Sequence, residues 1–336
     1  MSNTVDGIVL LSKQSGITSF SSLWQIKNAL ETKKIGHTGT LDTFADGLLV
    51  ALTGRLTHLA SFITDCDKEY LASISFGSET DTLDPDGTII RETSLPVYSC
   101  IKSVLPGFCG SIMQCPPVYS ALHIDGQRAS DRIRKGEILT MPERPVTIND
   151  IDIFGAYDSN GCVVEDSSLI ARLDIRVSCS KGTYIRSLAR DIAIATGSSG
   201  YLLNLRRTKI GPFRIEDSAG FSMLSEFGLC EPMKYGKGDK PPVVPSEEIK
   251  SKRQPFTRKL ATCTDIYPVE LLASKKVAFC CGQKLEYSWF TQESVLSLTN
   301  STNNARFSVF CTDNFLGVLS NNNSGLAYEF VIGDPA

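Results

Sequence analysis

Apolar and polar residues along the chain change rhythm several times, and each change marks an element. Ile8 to Leu11 form an unbroken apolar run after Asp6-Gly7, which predicts a strand, and Ser15-Gly16 reads as a turn. Thr18 or Ser19 then stands where a helix cap belongs. The helix is expected to run to about Thr32, with Phe20, Leu23, Trp24 and Leu30 on one face. Gly36 to Gly39 makes a Gly-rich turn. Tyr70 to Phe76 alternates as a strand does, and Asp86-Gly87 reads as a hairpin-type turn before Thr88 to Arg91. Arg172 to Ser178 alternates with Leu173, Ile175 and Val177 inward, and Tyr184 to Thr196 has helical spacing that stops at Gly197.

These elements predict a mixed α+β domain over residues 1–230. From Glu231 to Lys259 the pattern lapses. Five prolines, abundant charge and no hydrophobic period predict a linker or insertion. Over 260–336 the runs Val277 to Cys281, Val295 to Leu298, Arg306 to Cys311 and Phe315 to Leu319 are short and separated by Asn, Ser and Gly, which predicts a small all-β domain. A chain ending near Gly228 is expected to fold and keep its chemistry without that domain.

Composition narrows the function classes. The 336 residues suit two domains, and 42% hydrophobic residues are ample for folded cores. No apolar run approaches the ~18–20 residues that span a bilayer. The start MSNTVDGIVLL lacks the basic and apolar regions of a secretory signal, so a cytoplasmic protein is expected. Eleven cysteines without a C-x-x-C, and only three histidines, predict reduced thiols rather than a disulfide framework or a metal centre. Neither phosphate-binding glycine fingerprint, G-x-x-x-x-G-K-[ST] or G-x-G-x-x-G, is present.

The formal net charge is −3, but the charge is segregated. Between Arg176 and Arg214 eight basic residues face one acid, Asp191. This is the pattern of a polyanion-binding stripe on an otherwise acidic protein, or of a solvated face whose charges pair elsewhere in the fold.

Gly36-His37-Thr38-Gly39-Thr40-Leu41-Asp42 is the most informative stretch. Two glycines bracket a turn where backbone can approach a ligand, and the turn ends on a carboxylate. Taken alone, Thr40 or Asp42 could equally cap a helix through Leu48 to Leu52. The context adds more. The stretch is followed by A-D-G-L-L and Gly54, then Lys68-Glu69-Tyr70, then Thr80-Asp81-Thr82-Leu83-Asp84-Pro85-Asp86-Gly87. Gln114-Cys115-Pro116-Pro117-Val118-Tyr119-Ser120-Ala121-Leu122, Cys179-Ser180-Lys181-Gly182-Thr183-Tyr184-Ile185-Arg186 and Leu205-Arg206-Arg207 come after it in order. These blocks closely resemble the TruB family of tRNA pseudouridine synthases, and Phe315-Leu316-Gly317-Val318 looks like part of a PUA-type RNA-binding barrel.

The resemblance implies an α+β catalytic domain with a central mixed sheet and cleft, and a C-terminal PUA-like barrel. The implied activity is isomerisation of uridine to pseudouridine in the T loop of tRNA, usually at position 55, by a monomer that needs no cofactor. The family's catalytic aspartate falls on Asp42, acting as nucleophile or as a base on the ribose. Arg186 is the expected partner that keeps the carboxylate charged in a dry pocket, with a tRNA phosphate contact as its other reading. Tyr70 matches the tyrosine that stacks on the target base and accepts a proton late in the reaction. Tyr184 and Leu205 match the uracil pocket. His37 matches the histidine that fills the place of the flipped nucleotide. Lys13 is read as structural or backbone-binding, and Arg206 and Arg207 as tRNA contacts.

Three motifs depart from the family pattern. Ser12-Lys13-Gln14 stands for D-K-P, Thr43 for the proline after the aspartate, and His123 for the lysine after Y-S-A-L. Thr43 lacks proline's fixed φ, so a less rigid loop is expected. His123 is expected to lack a permanent charge at neutral pH. A non-catalytic RNA-folding chaperone and a protein-binding adaptor are the rival readings. Asp42, Tyr70 and Arg186 speak against the first and the basic stripe against the second.

Overall fold

Ile8, Val9, Leu10 and Leu11 are all buried because their strand is covered on both faces. A computed structural model describes residues 5–120, 122–124, 126–134, 137, 139–228 and 241–334. Its main sheet has ten strands: β1 (Gly7–Lys13), β2 (Ile35–His37), β3 (Asp46–Thr53), β4 (Lys68–Phe76), β5 (Gly110–Gln114), β6 (Arg144–Tyr157), β7 (Arg172–Cys179), β8 (Gly200–Ile210), β9 (Phe213–Arg214) and β10 (Arg253–Gln254). The order is β10-β1-β3-β8-β4-β7-β6-β5, with β2 on β3 and β9 on β8. All pairs are antiparallel except β8 on β3, where Arg206 lies opposite Asp46 and Arg207 opposite Gly47. That parallel seam at mid-sheet brings the leucine–arginine segment beside the start of β3.

Helix α1 (Ser19–Ala29) starts at Thr18, whose side chain accepts from Ser21 N–H as an N-cap does. Its buried face is Ser19, Ser22, Leu23, Gln25, Ile26 and Ala29, whereas Phe20 and Trp24 are 71% and 57% exposed. The expected face was therefore half right. Small serine and alanine side chains let the helix lie close on the strands, and the large aromatics fall outside the contact. Helix α2 (Ile185–Ala195) covers the other half of the sheet with Ile185, Leu188, Ala189 and Ile192. The segment after Asp42 is a strand, β3, and not the alternative capped helix.

Part of the expected linker is built into the sheet. Helix α3 (Ser246–Ser251) places Ile249 against Leu23 and Ile26, Val244 N–H donates to Gln25 Oε1, and β10 pairs with β1. Residues 231–240 of that stretch lie outside the described residues.

In the C-terminal part the order is β11 (Tyr267–Glu270), β12 (Ala305–Cys311), β13 (Asn314–Asn322) and β14 (Gly325–Val331), with β11 parallel to β12. No pair joins β11 to β14 among the described residues, so the sheet is open where a barrel was expected. Two expected strands are helices, α4 (Lys276–Cys280) and α5 (Gln292–Thr299). Short apolar runs do not carry enough period to separate the two states, and here only Phe279 and Leu298 of those runs turn fully inward.

This part does not stand apart. Phe256, Phe310, Val318 and Ile332 share one core with Ile8, Leu10, Leu48 and Val50. A chain ending near Gly228 would leave that face of the first strands only the cover of Leu56, Leu59, Ile63 and Phe213. Among the described residues no helix is long and apolar enough to cross a membrane, and no group of three or more His, Cys, Asp or Glu is placed to hold a metal ion.

Candidate active site

The loop between β2 and β3 carries Asp42, and three side chains fix it from behind. The Ser19 hydroxyl at the start of α1 accepts from Leu41 N–H at 2.9 Å and donates to Leu41 O at 3.1 Å. Lys13, fully buried, donates from Nζ to Ala45 O at 2.6 Å, Ile17 O at 2.7 Å and Gln14 O at 3.0 Å. Arg207, 2% exposed, donates to Leu48 O at 2.9 Å, Gly39 O at 3.1 Å and Thr40 O at 3.5 Å. Gly39 turns the chain at φ 122°, a conformation that favours glycine. Thr43 O is held as well, by Gly16 N–H at 2.7 Å. Anchoring of this density supplies the rigidity expected to be lost without a proline.

Asp42 meets Arg186 across the sheet. Arg186 sits in the first turn of α2, 4% exposed. Its Nη2 donates to Asp42 Oδ1 at 3.1 Å, and its Nε lies 2.9 Å from Oδ2, outside hydrogen-bond alignment. The same guanidinium donates to Thr82 O at 2.8 Å, Tyr119 O at 3.0 Å and Asp84 Oδ2 at 3.3 Å. Asp84 is therefore a second carboxylate on one cation. Burial pushes its carboxyl up, while Thr82, Arg186 and the Asp86 N–H oppose the shift and the Asp42 charge adds to it. Asp84 stood in view within the quoted Thr80 to Gly87 block, but nothing in its spacing says that the chain returns 102 residues later with the arginine.

Tyr70 enters from β4, opposite Arg207 on β8. Burial raises its phenol above the ordinary value and the Arg207 guanidinium pulls it back, so Tyr70 keeps its proton at neutral pH. A cleft of about 650 Å³ joins these groups, lined by Asp42, Tyr70, Tyr184, Arg186, Leu205 and Arg207. Six expected site residues thus converge. Gln114 holds Tyr184 in place by a double hydrogen bond, accepting from its N–H at 2.8 Å and donating to its carbonyl at 3.1 Å.

The other expectations fare differently. Lys13 is structural. Arg206, expected at the tRNA, is turned into the fold: it is 9% exposed, grips Asp46 by two bonds of 2.7 Å and reaches Ser225 O at 2.9 Å. Arg207 lines the cleft, but its guanidinium is committed to the loop. Of the rest of the basic stripe, Lys181 pairs with Asp65, Arg190 with Asp191 and Lys209 with Glu69, while Arg176 and Arg214 are exposed. Closely spaced basic residues announce charge but not burial, and here the fold uses most of them itself. His37 is half-buried on β2 and does not line the cleft, and its Nδ1 has no partner. Burial and Arg207 lower its pKa, against a Gly39 backbone bond, which leaves a neutral ring at pH 7. The side chain of His123 lies outside the described residues.

Comparisons with known proteins fit this geometry. Residues 27–185 match the TruB family pseudouridylate synthase N-terminal domain. A tRNA pseudouridine synthase B from Treponema denticola is 40% identical over 97% of this chain and 98% of its own length. One from Borreliella burgdorferi strain ZS7 is 44% identical over 67% of this chain and 76% of its own. Among solved structures, a chain of an H/ACA RNP bound to a substrate RNA containing 2'-deoxyuridine aligns with a TM-score of 0.63 at 18% identity, covering 98% of this chain and 86% of that one. A chain of a Cbf5-Nop10-Gar1 complex aligns at 0.63 and 20%, covering 97% and 84%. These last two show a shared fold. With 40% identity sustained over nearly the whole of both chains, the protein belongs to the TruB family of pseudouridylate synthases.

Proposed function

We propose that the protein isomerises uridine to pseudouridine in tRNA, in the T loop at position 55. The observation that carries this reading is the double contact of Arg186 on Asp42 in a cleft closed behind by the anchored loop. Reaction at Asp42 needs an ionised carboxylate. The buried Arg186 supplies the opposite charge beside it.

Asp42 acts as nucleophile or as base on the ribose. The C1'–N1 glycosidic bond breaks, the uracil turns, C1' bonds to C5, the C5 proton leaves and N1 regains a proton. The sequence is redox-neutral and adds no group. Tyr70 bears on the base and takes the late proton, while Tyr184 and Leu205 frame the uracil. The target nucleotide must leave its stack to reach Asp42, at a cost of a few kcal/mol. His37, a neutral flat ring two residues before Gly39, fills the vacated place in the loop. Residues 1–230 carry the chemistry, residues 260–336 hold RNA away from the reacting base, and the protein works as a cytoplasmic monomer.

The test is incubation with unmodified tRNA and mapping of pseudouridine at single-nucleotide resolution. Wild type modifies position 55. Asp42→Asn keeps the shape of the side chain and binds tRNA, but loses turnover by at least about 10³-fold, as expected for removal of a covalent or proton-transfer group. Substantial pseudouridine from pure Asp42→Asn protein would overturn the assignment.

A further inference from the structure

Three arginines line the cleft: Arg144, Arg186 and Arg207. Two are committed, Arg186 to Asp42 and Asp84 and Arg207 to the carbonyls of the catalytic loop. Arg144 is different. It begins β6, opposite Gln114 on β5, and its guanidinium lies 4.8 Å from the centroid of the Tyr184 ring. It donates to Gly182 O, and among the described residues it makes no ion pair. Its Nε is shut off from water and has no hydrogen-bond partner. With Nη2 on Gly182 O and Nε covered, Nη1 is the donor of this stacked planar cation left to meet a phosphate oxygen.

Charge balance points the same way. Arg186 with Asp42 and Asp84 sums to one negative charge, and Arg207 is buried behind the loop. A polyanion entering here meets the Asp42 carboxylate, and Arg144 is a half-buried cation of the lining without a carboxylate of its own among the described residues. Flipping a nucleotide swings its backbone, so a phosphodiester moves with the base towards the cleft wall.

We propose that Arg144 binds the phosphodiester flanking the flipped nucleotide, with the Tyr184 ring holding the guanidinium flat for that contact. Tyr184 then serves twice, as a wall of the base pocket and as the seat of the phosphate clamp. Gln114 supports both by fixing the Tyr184 backbone. The assignment rests on the tRNA reading above and adds a residue that the motifs do not mark.

The test measures tRNA affinity of the full chain against salt, together with steady-state turnover. Arg144→Gln removes one phosphate contact, so the slope of log affinity on log salt flattens by about 0.7–0.9. KM for tRNA rises about tenfold while kcat changes little, because the contact exists before and during the reaction. Arg144→Lys keeps the slope and loses part of the affinity, since a point charge replaces the fork. If Arg144→Gln loses its melting transition, Arg144→Met, which still covers the Tyr184 ring, takes its place.

A wild-type slope in the glutamine or methionine variant would overturn the assignment and leave Arg144 as a prop for Tyr184. A collapse of kcat at unchanged KM would do the same. Failure of the tRNA reading is seen separately, as a wild-type protein that makes no pseudouridine in tRNA.

Discussion

Lys13 shows how far one residue can be committed to holding others. Its ammonium reaches backbone carbonyls on both sides of the Asp42 loop, and burial pushes its pKa down to about 7, with Asp46 and Asp42 opposing and Arg207 assisting. The unfolded chain keeps that proton up to the ordinary 10.5. Below pH 7 both states carry the charge, and the native state bears the full penalty of burying it. Between about 7 and 10.5 the unfolded chain holds a proton that the native chain has released, so stability linked to Lys13 rises with pH. Urea midpoints of wild type should therefore climb relative to Lys13→Met from pH 7 to about 9.5, and parallel curves would remove Lys13 from the linkage. At this scale the sequence is legible where a side chain falls inside a motif. Asp42, Tyr70 and Arg186 could be named from their motifs. Arg207 could not be placed, because its neighbours in the chain give its charge and not the three carbonyls that receive it.

Among the elements, the parallel seam between β3 and β8 controls the site most tightly. Gly47 sits there at φ 112°, and a Cβ would stand 2.5 Å from the Arg207 carbonyl oxygen and 2.6 Å from its nitrogen. Gly47→Ala must therefore push the two strands apart. We expect a loss of about 2–4 kcal/mol in urea unfolding. Turnover should fall as well in protein still folded, because the same seam carries Arg206 to Asp46 and Arg207 to the loop. A stable, fully active Gly47→Ala protein would show that the seam tolerates separation. The strands β1, β4 and β7 were readable from apolar runs and alternation, and α2 from its period and the glycine after it. The α1 face was misread because its contact is made by small polar residues that no hydrophobic pattern reports. Helices α4 and α5 were misread because five to eight residues seldom hold a period long enough to decide.

In the whole molecule the two parts share an apolar core. Phe310 and Val318 close the face of the sheet that carries Ile8, Leu10 and Val50. A chain ending at Gly228 uncovers several such side chains, each contributing about 1.5–3 kcal/mol when buried. The total is comparable to the whole stability of a typical domain, about 5–15 kcal/mol. That truncation should be insoluble or lack a cooperative melting transition in calorimetry. A soluble fragment melting close to the full chain would restore the two-part view. Proline-rich sequence suggested a linker because prolines forbid regular pairing locally, yet a helix and a two-residue strand beyond them are enough to dock. This last strand has a consequence in time. β1 is made some 240 residues before its edge partner Arg253–Gln254. At about 5–20 residues per second the delay is on the order of tens of seconds. Throughout that interval the edge of β1 at Ile8 and Val9 lacks the strand that later covers it.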